Sequence, residues 1–208
     1  MPKLPLSPRS PAEPATAASA PRDVLPVWDL SDLYAGTDAP ALAADLDAAA
    51  AAARAFAADW RGKLEGLARE RQGGERIAEA MRAYESLQDK LGRVISYAGL
   101  LYATDNTDPV NAKFYGDMQE RVTAISTDLL FFTLELNRLS DADMSAALTS
   151  SALAHYAPWL RDLRAMQPYQ LSDELETLLH EKSVSGRGAW NRLYDETLSR
   201  LTFDIDGE

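Results

Sequence analysis

The chain has 208 residues, no cysteine, 32 acidic and 21 basic residues, and a net charge of −11. The missing cysteines exclude a disulfide framework, a cysteine nucleophile and a thiolate metal site. A pI near 4.7 argues against a nucleic-acid partner, since neutralising phosphates needs a basic face, and no run of about 18 apolar residues is present to span a membrane. The length suits one large domain or two small ones, with a sizeable core. Of the residues, 35 are alanine, which favours helix strongly and buries little. The fold class expected is all-α: long antiparallel helices plus shorter ones, with one strand of an incomplete hairpin at the C-terminus.

Residues 1–24 are a different material. Seven of the 11 prolines lie between Pro2 and Pro26, and closely spaced prolines block helix and sheet hydrogen bonding. A disordered Pro/Ala/Ser-rich tail is expected. It lacks the apolar stretch of a secretory signal. Lys3, Arg9 and Arg22 would suit a transit peptide, but Glu13, Asp23 and the prolines stand against one. These five charges sum to +1, so residues 25–208 carry about −12. A cytoplasmic, soluble protein is expected, with a first helical part over 25–104 and a second over 105–208.

Asp29 and Asp32 are placed to start a short helix over Trp28–Tyr34, ended by Gly36. Asp38 is then expected to cap a long helix with Pro40 in its first turn. Leu42, Leu46, Ala49, Ala53, Phe56 and Trp60 are spaced 4, 3, 4, 3, 4, an inward apolar stripe. A weaker stretch follows, and Gly73-Gly74 is expected to break the chain. From Glu75 to Ala103 the inward positions are Ile77, Met81, Tyr84, Leu87, Leu91, Val94, Ala98 and Leu101. A second stripe, Gly92, Ser96, Gly99 and Ala103, is all small. Glycine inside a helix costs about 1 kcal/mol, so close approach of another helix backbone is expected there. The other reading is a shallow groove wall.

Asp105–Pro109 stops one helix and starts the next, expected to run to Asn137 with Val110, Phe114, Met118, Val122, Ile125, Leu129, Phe132 and Leu136 inward. Its second half, Leu129–Leu136, is apolar on nearly all sides, the pattern of a helix buried all round. Glu135 within it is read as an exposed edge residue, with a pair to Arg138 as the alternative. Ser140 caps a helix over Asp141–Leu148. Another follows Pro158, using Trp159, Leu160 and Leu163. Ser172 caps the next, to about Val184, with Asp173, Glu174 and Glu176 in its first turns. The last helix follows Ser185–Gly188, with Trp190, Leu193, Tyr194, Thr197, Leu198 and Leu201 on one side. Thr202–Asp206 then alternates before Asp-Gly, a hairpin signal without its second strand. The expectation is that the chain is the front end of a longer polypeptide.

Composition and spacing alone define no activity. The two histidines are His155 and His180. His180-Glu181-Lys-Ser-Val184 begins like the zinc motif H-E-x-x-H, but Val184 stands where the second histidine is needed. No G-x-S-x-G nucleophile turn is present. Ser185–Gly188 could offer backbone N–H groups to an anion, but it lacks the lysine and spacing of a phosphate loop. It is read as a tight interhelical turn with Arg187 in a salt bridge. No catalytic, cofactor-binding or metal-ligating residue is assigned.

Four stretches, in order, resemble the amino-terminal region of the oligoendopeptidase F family, zinc metallopeptidases related to thimet oligopeptidase. They are Trp28-Asp-Leu-Ser-Asp-Leu-Tyr34; Leu91-Gly-Arg-Val-Ile-Ser-Tyr-Ala-Gly-Leu-Leu-Tyr-Ala-Thr-Asp105; Leu129-Leu-Phe-Phe-Thr-Leu-Glu-Leu-Asn137; and Glu181-Lys-Ser-Val-Ser-Gly-Arg-Gly-Ala-Trp-Asn-Arg-Leu-Tyr-Asp-Glu196. The resemblance implies a helical clamshell whose channel admits short peptides. It also implies a zinc held by an H-E-x-x-H helix that these 208 residues do not contain. The chain is then one wall or lid of that channel, without zinc or catalysis of its own, beside a missing C-terminal catalytic domain. The alternative is a self-contained helical interaction module.

Overall fold

The structure is a computed structural model describing residues 28–204. The proline-rich segment 1–24 and the last four positions of the expected strand and turn lie outside the described residues. The described chain is all-α. Its elements are α1 (Pro40–Trp60), α2 (Leu64–Ala68), α3 (Gly73–Thr104), α4 (Pro109–Thr127), α5 (Leu130–Arg138), α6 (Asp141–Ala147), α7 (Ser151–Ala154), α8 (Ala157–Arg164), a 3-10 turn (Gln167–Tyr169), α9 (Asp173–Lys182), a kinked π-type turn (Val184–Gly188) and α10 (Ala189–Ser199). Leu201–Asp204, where the strand was expected to begin, takes no regular structure.

The apolar stripe of α1 is its core face: Leu42, Leu46, Ala49, Ala53, Phe56 and Trp60 are its buried residues. α1 and α3 lie antiparallel. The C-terminal half of α1 packs with Ile77, Met81 and Leu87, and its N-terminal half with Val94 and Ala98. α3 and α4 are antiparallel too, with Tyr102 stacked on Tyr115 at 5.1 Å and Tyr97 edge-on to Phe114 at 6.0 Å. Asp108 caps α4, its carboxylate accepting from Val110 N at 2.8 Å.

The first expected helix is a turn instead. Asp29 Oδ1 accepts from Ser31 N at 2.9 Å, closing an Asx turn. Arg93 Nη2 holds it against α3 by donating to the carbonyls of Asp32 and Leu33 at 3.1 and 2.6 Å. Ala39, not Asp38, occupies the N-cap of α1, with no side-chain cap. Pro40 does open the helix, where a missing N–H costs nothing.

Gly73-Gly74 does not break the chain but begins α3, buried. A Cβ on Gly73 would stand 2.1 Å from the Leu67 carbonyl oxygen, and one on Gly74 2.2 Å from that of Ala147. The close backbone approach expected at Gly92 and Gly99 is therefore found about five turns earlier on the helix, at Gly73 and Gly74. At Gly92 a Cβ would meet nothing within 4 Å, and at Gly99 only the Tyr115 ring at 3.6 Å. Ser96 and Ala103 are exposed.

The single helix expected over 109–137 is two helices. Ser126 Oγ and Thr127 Oγ1 both donate to the Thr123 carbonyl, at 3.1 and 3.0 Å. Such back-bonding bends helices. The last turn of α4 tightens to Asp128 N→Ile125 O and Leu129 N→Ser126 O. Val110, expected inward, is exposed, and Met118 is the buried residue of α4. α5 then lies in the centre, with Phe132 and Leu136 fully buried and Phe131 and Leu134 nearly so. Phe132 meets Phe56 edge-on at 5.1 Å and Tyr84 at 4.9 Å.

The glycines give a pair of opposed expectations. Gly74→Ala should lower stability by about 1–3 kcal/mol through backbone overpacking, whereas Gly92→Ala should raise it by about 1 kcal/mol. Urea denaturation of the two variants checks the signs, and equal signs would contradict the packing described. Tyr34 supplies a pH test. Its hydroxyl donates to Asp45 Oδ2 at 2.8 Å, and burial, then Asp45, pushes its pKa up to about 12. A folded-state pKa above the unfolded value of about 10 gives stability that is full below pH 10 and lost as pH rises toward 12. Denaturation midpoints between those pH values should fall less in Tyr34→Phe than in the parent chain.

Candidate functional site

Burying α5 on all sides creates a problem at its C-terminal end, where the last carbonyls have no partner in the helix. Side chains from the following segment solve it. Arg164 Nη1 donates to the carbonyls of Leu136 and Leu139 at 3.1 and 2.9 Å, and Nη2 to Asp141 Oδ1 at 2.6 Å. Gln167 Nε2 donates to Asn137 O at 2.6 Å, and Gln170 Nε2 to Leu134 O at 3.2 Å. Arg138 Nε also reaches Leu134 O, at 3.2 Å. Arg164, Gln167 and Gln170 are spaced by three, across the end of α8 and the 3-10 turn that contains Pro168. They fix the path of the chain into α9.

Glu135 faces the other way. It is neither an exposed edge residue nor paired with Arg138. Its Oε1 accepts from Gly62 N at 2.7 Å, and Oε2 lies 3.5 Å from Leu64 N. Gly62 has φ of 76°, a left-handed conformation that glycine adopts without cost. Glu135 thus caps the start of α2 across the bundle. Arg138 pairs with Asp173 at 2.6 Å, the first residue of α9.

α9 and α10 are held by polar contacts. Ser126 Oγ and His180 Nε2 form a 2.8 Å hydrogen bond between α4 and α9, so His180 is a docking residue and not merely a surface one. Arg192 of α10 donates to Gln119 of α4. Ser172 stands at the N-cap of α9 without a side-chain bond, and Glu176 Oε1 instead accepts from Leu171 N at 2.9 Å. The turn between the helices closes with Gly188 N→Ser183 O at 2.8 Å and kinks at Gly186. Arg187 makes no ion pair among the described residues. It borders a cavity of about 280 Å³ with Gln119, Thr123, Val184 and Asn191.

The apolar residues of these two helices do not reach the core. Neither helix has a buried residue. Leu175, Leu178 and Leu179 of α9 and Trp190, Leu193, Tyr194 and Leu198 of α10 are exposed, Trp190 at 71%. Leu201 and Phe203 continue the series, Phe203 at 77%. The helical periodicity expected for 190–201 is present, but its apolar side meets solvent. Scattered exposed leucines need no explanation, whereas a run of this kind marks an interaction surface.

His155 packs edge-on against Tyr156, far along the chain from the His180–Ser126 bond. Among the described residues no three His, Asp or Glu side chains gather to hold a metal. These residues do not fit the zinc that the resemblance implies, and no zinc chemistry is assigned to them. No described helix is long and apolar enough to cross a membrane.

Residues 135–203 match the family model described as Oligopeptidase F, so this stretch is similar to the amino-terminal region of that family. No curated protein and no solved structure matches it. The matched stretch runs from Glu135 through the carbonyl-capping side chains to the end of α10.

Arg164→Met should strip two buried carbonyls of their donor and cost about 2–4 kcal/mol. Arg161→Met removes only an exposed pair with Asp162 and should change stability by less than about 0.5 kcal/mol. Thermal melts of both variants check the contrast; a mild Arg164 variant would contradict the capping role.

Proposed function

We propose that this chain is a helical wall of the substrate channel in an oligoendopeptidase F-like zinc metalloendopeptidase, and that it cleaves no peptide by itself. One coincidence carries the reading. The stretch that matches the family, 135–203, is also the stretch whose apolar helices α9 and α10 lie uncovered. A large apolar face on otherwise polar-tethered helices suits burial against further protein, and a catalytic part of the same enzyme is the partner of matching chemistry. That part would carry the zinc, since H-E-x-x-H occurs nowhere in the 208 residues. Short peptides would be the substrates, the wall restricting entry to thin, unfolded chains. An acidic helical exterior without a membrane-crossing helix among the described residues agrees with work in the cytoplasm.

A quenched-fluorescence peptide assay and metal analysis after dialysis test the non-catalytic role. The 208-residue chain should show no turnover and no stoichiometric zinc; robust turnover would contradict it. Coding DNA read past codon 208 tests the partner. An open frame containing H-E-x-x-H is expected, whereas an immediate stop codon would favour a self-contained interaction module.

A further inference from the structure

A cavity of about 470 Å³ lies between α3 and the corner joining α7 to α8, away from α9 and α10. Its floor is aromatic. The rings of Tyr84 and Trp159 lie 6.3 Å apart at 53°, and Tyr84 rests on the buried Phe132, which holds the floor in place. Tyr156 and Pro158 complete the apolar lining. One wall is acidic, with Glu85 and Asp89 on successive turns of α3. Glu85 Oε2 accepts from Tyr156 OH at 2.9 Å. Neither carboxylate is in an ion pair among the described residues. Aromatic faces flanked by carboxylates are suited to an extended proline-rich segment carrying a basic residue, because pyrrolidine rings pack on aromatic planes and the polyproline II backbone is ordered at low entropy cost.

The chain contains such a segment. Pro2, Pro5, Pro8, Pro11 and Pro14 recur at every third position, with Lys3 and Arg9 among them. Polyproline II has three residues per turn, so this spacing would bring all five rings to one edge. The reach is adequate. Arg93 binds the carbonyls of Asp32 and Leu33, and Glu85, Asp89 and Arg93 are spaced four apart on α3. The Asp32–Leu33 turn is thus held at Arg93, about 12 Å along α3 from Glu85 at 1.5 Å per residue. Residues 15–27 could span up to about 40 Å at 3.1 Å per residue.

We propose that the Tyr84–Tyr156–Trp159 cleft is a docking site for a proline-rich strand, and that its occupant is residues 2–14 of the same chain. The contact joins a repeating proline edge to the aromatic floor, and Lys3 or Arg9 to Glu85 and Asp89.

The test uses the full 208-residue chain. Because it has no cysteine, Ser7→Cys accepts a single nitroxide label. In the isotope-enriched, labelled chain the Trp159 indole signal and the amide signals of 84–89 should be lost through paramagnetic broadening, while the Trp190 indole signal is retained. Replacing Pro5, Pro8 and Pro11 together by glycine should restore the lost signals; these positions lie outside the described helices, so the bundle is left intact. Glu85→Gln with Asp89→Asn should restore them in part. A Trp159 signal as sharp as that of Trp190 overturns the proposal. Broadening of Trp159 that is equally strong when label and isotope are on separate molecules also overturns it, since the occupant would then be a second copy.

Discussion

A helix buried on every side needs its end carbonyls satisfied by protein, and most of this architecture serves that requirement for α5. Its side chains Phe131, Phe132 and Leu136 pack into one core with residues of α1, α2, α3 and α8. The carbonyls of its last turn are partly buried, and an unpaired buried carbonyl costs about 1–3 kcal/mol. Arg164, Gln167 and Gln170 supply the missing donors. Doing so pins the end of α8 and the 3-10 turn against α5, and this sets where α9 begins. At the other side of α5, Glu135 takes the Gly62 N–H and joins the α1–α2 turn to the same helix.

The two ends of the described chain follow different physics. α1 and α3 are secured by apolar burial along their length, at about 25 cal/mol per Å² of surface removed from water. α9 and α10 are secured by single polar contacts, Arg138–Asp173, Ser126–His180 and Arg192–Gln119. Exposed ion pairs contribute about 0–1 kcal/mol each, so this attachment is weak beside the core. None of their leucines and aromatics is buried in the core. Apolar helix faces left in solvent suit a contact with further protein, and this is the physical content of the channel-wall proposal.

The long apolar periodicities were legible in the sequence. The stripe of α1 is its buried face residue for residue, and the all-round apolarity of 129–136 did mark the centre of the domain. What escaped was decided by hydroxyls, glycines and tertiary direction. The break at Asp128 carries no Pro or Gly; its signal was the Ser126 and Thr127 hydroxyls, both placed to donate to the Thr123 carbonyl. Gly73-Gly74 looks like a breaker, but its role is close packing against the nearby Leu67 carbonyl and the Ala147 carbonyl, the second too remote in sequence to be visible. For α9 and α10 periodicity identified an apolar side but not whether that side faced this domain or another. The capping residues of α5 left a faint trace, three polar side chains spaced by three just after an apolar helix. No catalytic residue was legible; the functional reading came from the ordered resemblance of several segments.

α9 and α10 are tied to a core centred on α5 by a few polar contacts, and the channel-wall proposal reserves their apolar side for another protein surface. Amide hydrogen exchange of the 208-residue chain, read residue by residue, tests it most directly. Amides of 132–138 should exchange only through global unfolding, while those of 175–199 exchange through local opening at far lower free energy. Equal protection of the two stretches would contradict the claim, because it would mean that α9 and α10 belong to the same cooperative unit and need no further partner.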